Sequence, residues 1–239
     1  MKAVVLAAGK GERFGPLAET IPKPMAIIAH KPILEHVIIH LRASGIRDII
    51  INLHHCPGVI RDYFGDGRRW DVSIRYSYEP ELLGTAGAVR NVAGELHGTF
   101  LVYYGDNLCC CDLEALRKFH MMKGGLATIV IAESYDDLTG GVVEKDQDGL
   151  AVRFCEKPPS VSGGRRWESA GIYLLEKGIL DSIPADRPTD FGTDIFPRVI
   201  AEGGRIYCYE AEGMVRGVDT PERYRRVKAE MEKRGLRQR

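Results

Sequence analysis

Four side chains in this 239-residue sequence have the chemistry to handle phosphate and a divalent cation: Arg13, Lys23, Asp106 and Asp219. Arg13 follows an apolar run, Ala3 to Ala8, and two glycines, Gly9 and Gly11. Such a run reads as a buried strand that opens into a loop whose backbone must come close to a partner. Small side chains at Ala7 and Ala8 leave room for a flat group. The amides of Gly9 and Gly11 can point at phosphate oxygens, and the Arg13 guanidinium adds a fork of donors matched to phosphate. Lys23, held between Pro22 and Pro24, is a second cation on a stiffened segment. Asp106 closes the apolar stretch that ends Tyr103-Tyr104-Gly105, where a carboxylate projects into the crevice in which α/β sheets bind ligands. Mg²⁺ takes one or two carboxylates together with phosphate oxygens, and Asp219 is the second candidate ligand. Each residue also has an ordinary use: a tight turn with surface cations, a turn aspartate, a helix cap. The dinucleotide pattern GxGxxG would need glycine at position 14, and Phe14 stands there.

The elements that must carry these residues follow from periodicity. Ile33, Leu34, Val37, Ile38 and Leu41 recur at helical spacing, which predicts a helix over 32–44 stopped by Gly45. Strands are predicted at 46–53, 72–78, 99–104 and 126–132. Helices are predicted at 59–64, 86–96 and 113–122, the last capped by Asp112. Strand and helix alternate through the first half, which gives a mostly parallel α/β sheet flanked by helices. From Gly141 the rhythm changes. Strands at 142–145 and 150–155 are joined by a turn over Asp146–Gly149, and another follows at 169–175. A helix near 194–201, a strand at 205–210 and a basic helix from Pro221 complete the reading. The loops at Gly9, Gly84, Asp106 and Asp219 are expected to converge. One domain over 1–239 is expected, with a first half at about 1–135 and a second half with the C-terminal helix at 136–239.

Composition narrows the class. Apolar content of 44%, charged content of 28% and a formal net charge of +0 fit an enzyme and argue against bulk nucleic-acid binding. No apolar run approaches the roughly 20 residues of a membrane span. The N-terminus enters a strand with no signal-peptide pattern, so a cytoplasmic location is expected. Six cysteines include no CxxC pair. The run Cys109-Cys110-Cys111 reads as buried packing, with a redox-sensitive site as the lesser alternative. His54-His55 reads as loop or core polarity, and the tail from Arg225 as a solvated helix face.

The string from Leu6 through Arg13 to Leu17, LAAGKGERFGPL, followed by Pro22-Lys23-Pro24-Met25, resembles the N-terminal signature of the sugar-1-phosphate nucleotidyltransferases. Glu12 departs from the threonine more usual there. Gly105-Asp106 and the segment Val218-Asp219-Thr220-Pro221-Glu222-Arg223-Tyr224 match two further motifs in order, although the glycine usual before Thr220 is missing. The resemblance implies a Rossmann-like, glycosyltransferase-A-like fold, mostly parallel or mixed, with a small sugar-facing lobe. It would make about 1–135 the nucleotide-binding half and 136–239 the sugar-binding half. It also implies Mg²⁺-dependent transfer of a nucleoside monophosphate from an NTP to a sugar 1-phosphate, with release of pyrophosphate. Leu6, Ala7, Ala8, Gly9, Gly11 and Arg13 would cradle the nucleotide. Arg13, Lys23 and Asp106 would be the catalytic set, and Asp106 and Asp219 the metal ligands.

Three other segments enter through the same likeness. Glu79-Pro80-Glu81-Leu82-Leu83-Gly84-Thr85 would be the base loop, with Gly84 and Thr85 opening a helix toward base or ribose. A carboxylate only accepts, and guanine offers two adjacent donors, so Glu79 favours GTP. Glu156 and Lys157 match an EKP segment that meets sugar and sugar phosphate. Gly141 and Ser169 match segments that approach the sugar, with Ser169 in place of the usual asparagine. Mannose- or heptose-1-phosphate is the first expected acceptor. Thymidylyl, uridylyl or cytidylyl transfer to a hexose 1-phosphate is the alternative within the class, and a non-catalytic sugar-nucleotide sensor the alternative outside it. The expected partners are these substrates, with no nucleic acid and no membrane. Assembly into a homo-oligomer is left open.

Overall fold

A computed structural model describes residues 1–11, 21–134, 140–156, 166–212, 215–218 and 220–237. In chain order the elements are β1 (Lys2–Leu6), β2 (Ile27–Ile28), β3 (Lys31–Pro32), α1 (Ile33–Ala43), β4 (Asp48–Leu53), α2 (Pro57–Phe64), β5 (Ser73–Tyr78) and α3 (Gly84–Asn91). Next come β6 (Phe100–Tyr104), β7 (Asn107–Cys109), α4 (Leu113–Lys123), β8 (Ala127–Ser134), β9 (Gly141–Lys145), β10 (Ala151–Glu156) and β11 (Arg166–Leu175). A π-helical turn at Phe191–Ile195 leads into α5 (Phe196–Ala201), followed by β12 (Ile206–Glu210), β13 (Val215–Gly217) and α6 (Pro221–Arg237).

Among the described residues nine strands join one mixed sheet. The order β5-β4-β1-β6 is parallel, as alternation of strand and helix requires. β11 then runs antiparallel to β6, pairing Ile172–Leu175 with Tyr103–Phe100. One edge of β11 carries β8, which in turn carries β12. The other edge is shared. Its C-terminal residues pair with β6, and its N-terminal residues Trp167 and Glu168 pair with β9, which carries β10. The changeover falls where the register against β8 shifts between Ser169 and Tyr173. Gly171 sits in that irregularity with φ +67°, and a Cβ there would stand 2.6 Å from Asn107 Nδ2. A glycine is the residue that fits both demands. The sheet therefore forks beyond the carboxyl end of β6, and the fork leaves a cavity.

The strands alternate in which face they bury. Val5, Ile49, Ile51, Leu101 and Tyr103 pack with Leu34, Val37, Ile38 and Leu41 of α1 on one face. Val4, Ile50 and Val102 pack with Ala86 and Val89 of α3 and with Phe191 and Phe196 on the other. A third cluster of Ile28, Ile33, Leu108, Val218 and Val227 seats α6 against the β2–β3 hairpin and β7. Among the described residues no helix is long and apolar enough to cross a membrane.

The periodic elements stand where they were expected, with α4 capped by Asp112, whose carboxylate accepts from the amides of Glu114 and Ala115. Three expectations change. The helix expected over 86–96 starts two residues earlier and gives way after Asn91 to a 3-10 turn at Ala93–Glu95. The pairs β2–β3 and β7–β13 were not foreseen, because strands of two or three residues carry no periodic signal. The cysteine run is not uniformly buried: Cys109 and Cys111 are, and Cys110 is exposed.

Candidate active site

β1 delivers its loop at the sheet's carboxyl edge. Ala7 and Ala8 are buried, whereas Gly9 is exposed. A Cβ on Gly9 would meet nothing within 4 Å. The fold itself does not require glycine there, so the bare backbone is available for a ligand to approach. Gly11 takes φ +67°, the left-handed conformation that favours glycine. Arg13 lies outside the described residues.

Lys23 opens a short 3-10 turn, Lys23–Met25, that is preceded by Pro22 and contains Pro24. Its ammonium pairs with the Asp106 carboxylate, both largely buried. Asp106 is held by its neighbour: the Gly105 amide donates to the Leu6 carbonyl at 2.9 Å, and a Cβ on Gly105 would press on that same oxygen at 3.0 Å. The Val218 amide donates to the Asp106 carbonyl, which draws the start of α6 to the same edge. Lys23 and Asp106 are 83 residues apart in sequence and meet because β1 and β6 are parallel neighbours. Among the described residues no group of three ligating side chains stands together. Asp106 is the described carboxylate suited to a hard cation, and Asp219 lies outside the described residues.

The cavity beside this pair has a volume of about 780 Å³. Its walls bring together Lys23, Thr85 and Asp106 with Gly141, Glu156, Ser169 and Asp190, and with Glu133, Glu168, Arg216, Arg223 and Arg226. Glu156 is wedged between Gly141 and Gly192, either of which would strike its Oε2 if it carried a Cβ. Glu168 accepts from the Gly140 amide at 2.7 Å. The Ser169 hydroxyl lies 3.2 Å from that of Tyr173 and accepts from the Gly171 amide at 3.3 Å, so it closes the bulge of β11. Burial pushes the Tyr173 phenol up to about 12 and raises Tyr104 well above its ordinary range, so both remain protonated through neutral pH. Lys157 lies outside the described residues.

Two expected nucleotide contacts are met by the protein itself. Glu79 is 1% exposed. Its Oε1 accepts from Asn52 Nδ2 at 2.8 Å and its Oε2 from the Leu83 amide at 3.1 Å, so the carboxylate faces inward. The Thr85 amide and hydroxyl both donate to Asp190 Oδ1, at 2.8 and 2.9 Å, and the amides of Ala86 and Gly87 donate to the Thr189 carbonyl. The first amides of α3 are thus occupied by the segment at 189–190. Gly84, at φ +75°, is the point of closest approach: a Cβ there would stand 2.5 Å from the Thr189 carbonyl oxygen.

Asn52, Thr189, Asp190, Arg223 and Arg226 belong to this region and were not foreseen. Asn52 is a polar residue that interrupts the buried apolar run of an isoleucine-rich strand, and that contrast was the readable signal. Arg226 stands in the tail expected to be a solvated face, and Arg223 lies in the matched Val218–Tyr224 segment without a role of its own; nothing in their spacing marks the turn of α6 that reaches the cavity.

A family model described as nucleotidyl transferase matches residues 2–233. The chain belongs to that family. It is 37% identical over 222 residues to a UTP–glucose-1-phosphate uridylyltransferase of Synechocystis sp., covering 87% of this chain and 57% of the relative. It is 35% identical over 234 residues to a mannose-1-phosphate guanylyltransferase of Mycobacterium tuberculosis, covering 96% of this chain and 64% of the relative. The chain thus spans about three-fifths of the length of these curated relatives. Among solved structures, HddC from Yersinia pseudotuberculosis complexed with GMP-PN matches with a TM-score of 0.82 and 26% identity, over 96% of this chain and 98% of that one. A putative glucose-1-phosphate thymidylyltransferase from Bacillus anthracis shares the fold with a TM-score of 0.86 at 22% identity, over 97% and 95% of the two chains.

Proposed function

We propose that the chain catalyses Mg²⁺-dependent transfer of a nucleoside monophosphate from an NTP to a sugar 1-phosphate, releasing pyrophosphate. The observation that carries this reading is the Lys23–Asp106 pair in the wall of a cavity of about 780 Å³ that also carries carboxylates along its walls. The acceptor phosphate is already an anion, so the reaction needs no strong base. It needs two anions held together and charge neutralised on the departing pyrophosphate. In this reading the Gly9 and Gly11 loop and Arg13 hold the triphosphate, and Lys23 meets the α-phosphate or the acceptor phosphate. Asp106 and Asp219 would hold Mg²⁺, whose chemistry is charge neutralisation between the two phosphates. Glu156 and Glu168 accept sugar hydroxyls, Ser169 and Gly141 shape the same wall, and Lys157, Arg223 and Arg226 add positive charge against the acceptor.

GTP with a mannose or heptose 1-phosphate is the first choice. Its support is the guanylyltransferase among the relatives and the GMP-PN complex of HddC. UTP with a glucose 1-phosphate is the second reading, favoured by the Synechocystis relative. Pyrophosphate release, measured with GTP, UTP, dTTP, CTP and ATP against mannose, heptose, glucose, galactose and N-acetylglucosamine 1-phosphates with and without Mg²⁺, decides among them. Release only with GTP supports the first choice and release with UTP the second. No release across the whole grid, with nucleotide-sugar binding intact, would make the chain a sensor.

A further inference from the structure

The strongest unexplained feature is a buried polar chain beneath the nucleotide loops. Asn52 is 3% exposed and Glu79 1%. The Ala7 amide donates to Asn52 Oδ1 at 2.7 Å, Asn52 Nδ2 donates to Glu79 Oε1 at 2.8 Å, and the Leu83 amide donates to Glu79 Oε2 at 3.1 Å. Both ends of this chain are backbone N–H groups, which can only donate. That fixes which way the Asn52 amide points. Between two obligate donors, one amide and one carboxylate satisfy every contact. The Glu79 backbone is pinned as well: its amide donates to the Leu53 carbonyl at 2.8 Å, and His54 Nδ1 donates to the Glu79 carbonyl at 2.8 Å.

We propose that Asn52 and Glu79 form a donor–acceptor relay that sets the position of the phosphate loop at Ala7 relative to the base loop at Leu83–Thr85. In this role Glu79 is a positioning residue and does not read the base directly. The inference rests on the nucleotidyltransferase reading above, and deepens it by naming what holds the two halves of the nucleotide site in register. Residues 7, 52 and 79 come from the ends of three adjacent parallel strands, β1, β4 and β5. Hydrogen bonds across the sheet fix the strands, but the loops beyond them need their own tie.

The relay makes a parity argument that can be tested. With Glu79→Gln, if the new oxygen takes the Leu83 amide, its NH₂ meets the NH₂ of Asn52. If Asn52 turns over, its NH₂ meets the Ala7 amide. Every arrangement leaves two donors facing each other. With Asn52→Asp, two carboxylates face each other. The double exchange N52D/E79Q restores an acceptor for Ala7, a donor between the side chains and an acceptor for Leu83.

The test is steady-state kinetics and urea unfolding of the wild type, N52D, E79Q and N52D/E79Q, with all five NTPs. Each single exchange is expected to raise KM for the NTP by about tenfold or more, since one buried donor or acceptor is left unmade. KM for the sugar 1-phosphate should stay within about twofold, and the order of preferred bases should not change. The double exchange should return KM for the NTP to within about threefold of wild type, because each buried group again has a partner. A Glu79→Gln enzyme that switches its preferred base would overturn the proposal, as would a double exchange no better than the worse single one. If a single variant does not fold, the double variant is compared directly with wild type. Recovery of folding and KM supports the relay, and failure to fold overturns it. A wild type that turns over no NTP would bring down the proposed function together with this inference. Wild-type turnover without recovery in the double exchange would bring down this inference alone.

Discussion

The two walls of the site treat their polar groups in opposite ways. Beneath the loops of β1, β4 and β5, Asn52 and Glu79 are dry and their hydrogen bonds run from one backbone segment to another. Along β10 and β11, Glu156, Glu168 and Ser169 face a cavity and are only half-buried. Buried, fully satisfied polar groups rigidify a structure, because every alternative arrangement leaves one of them unpaired. Carboxylates at a cavity wall keep acceptor capacity for hydroxyls that arrive with a ligand. In the proposed function the first wall, held to one geometry, would carry the nucleotide, and the opposite wall would choose among sugars.

The largest effect should come from the pair between the walls. Lys23→Ala or Asp106→Asn is expected to lower turnover by roughly 10²–10³, the range for removing one preorganised charge-stabilising group. A pyrophosphate-release assay with folded variants checks this, and a loss under tenfold would remove the pair from the chemistry. Next in size is Gly84→Ala on the nucleotide wall. The left-handed backbone and the 2.5 Å approach of a Cβ to the Thr189 carbonyl should cost roughly 2 kcal/mol or more, read as a lower urea midpoint. Unchanged stability would mean that the 189–190 segment gives way easily, and that this wall is less rigid than its hydrogen bonds suggest. Smaller still, Glu168→Gln should raise KM for the acceptor by about fivefold, with KM for the NTP unchanged, as a charge-assisted hydrogen bond becomes a neutral one. An equal rise in both would blur the division between walls.

The smallest effect concerns acid. Asp194 accepts from the Asp190 amide at 2.8 Å, and this hydrogen bond, with a lesser one from the Thr193 hydroxyl, holds its carboxyl below the ordinary value of 3.8. A depressed folded-state value adds stability that is present above the unfolded value and lost as pH falls through the folded one. The urea midpoint of wild type minus Asp194→Asn should be constant above about pH 5 and shrink below about pH 4. A difference that grows in acid would reverse the sign of this account.

Much of the fold was legible because its main elements are long and periodic. The isoleucines of β4 and the i, i+3, i+4 pattern of α1 each admit one reading. Short pairs such as β7 with β13 were invisible, since Asn107 pairs with Gly217 and Cys109 with Val215, far apart in the chain, and their lengths fall below any period. The meeting of Lys23 with Asp106 could be read because each sits in a motif that follows or faces a strand end. The inward turn of Glu79 could not. A strand-end glutamate looks the same whether its carboxylate meets a base or a buried asparagine 27 residues earlier in the chain. Arg226 was hidden by the opposite problem, a helix so basic that no single residue stands out, and Arg223 lay in a matched segment where the aspartate drew the attention.

β11 has one further consequence. Its N-terminal residues pair with β9 and its C-terminal residues with β6, so the wing made by β9 and β10 joins the sheet through the bulged half of β11 and, at its turn, through a bridge from Leu150 to Tyr207 and a 2.8 Å hydrogen bond from the Cys208 amide to the Gly149 carbonyl. None of these links involves β5, β4, β1 or β6 directly, so the wing is expected to open as a separate cooperative unit in native-state hydrogen exchange. Amides of β9 and β10 should exchange together and faster than those of β1 and β6, and a bound sugar spanning the fork should draw the two rates toward each other.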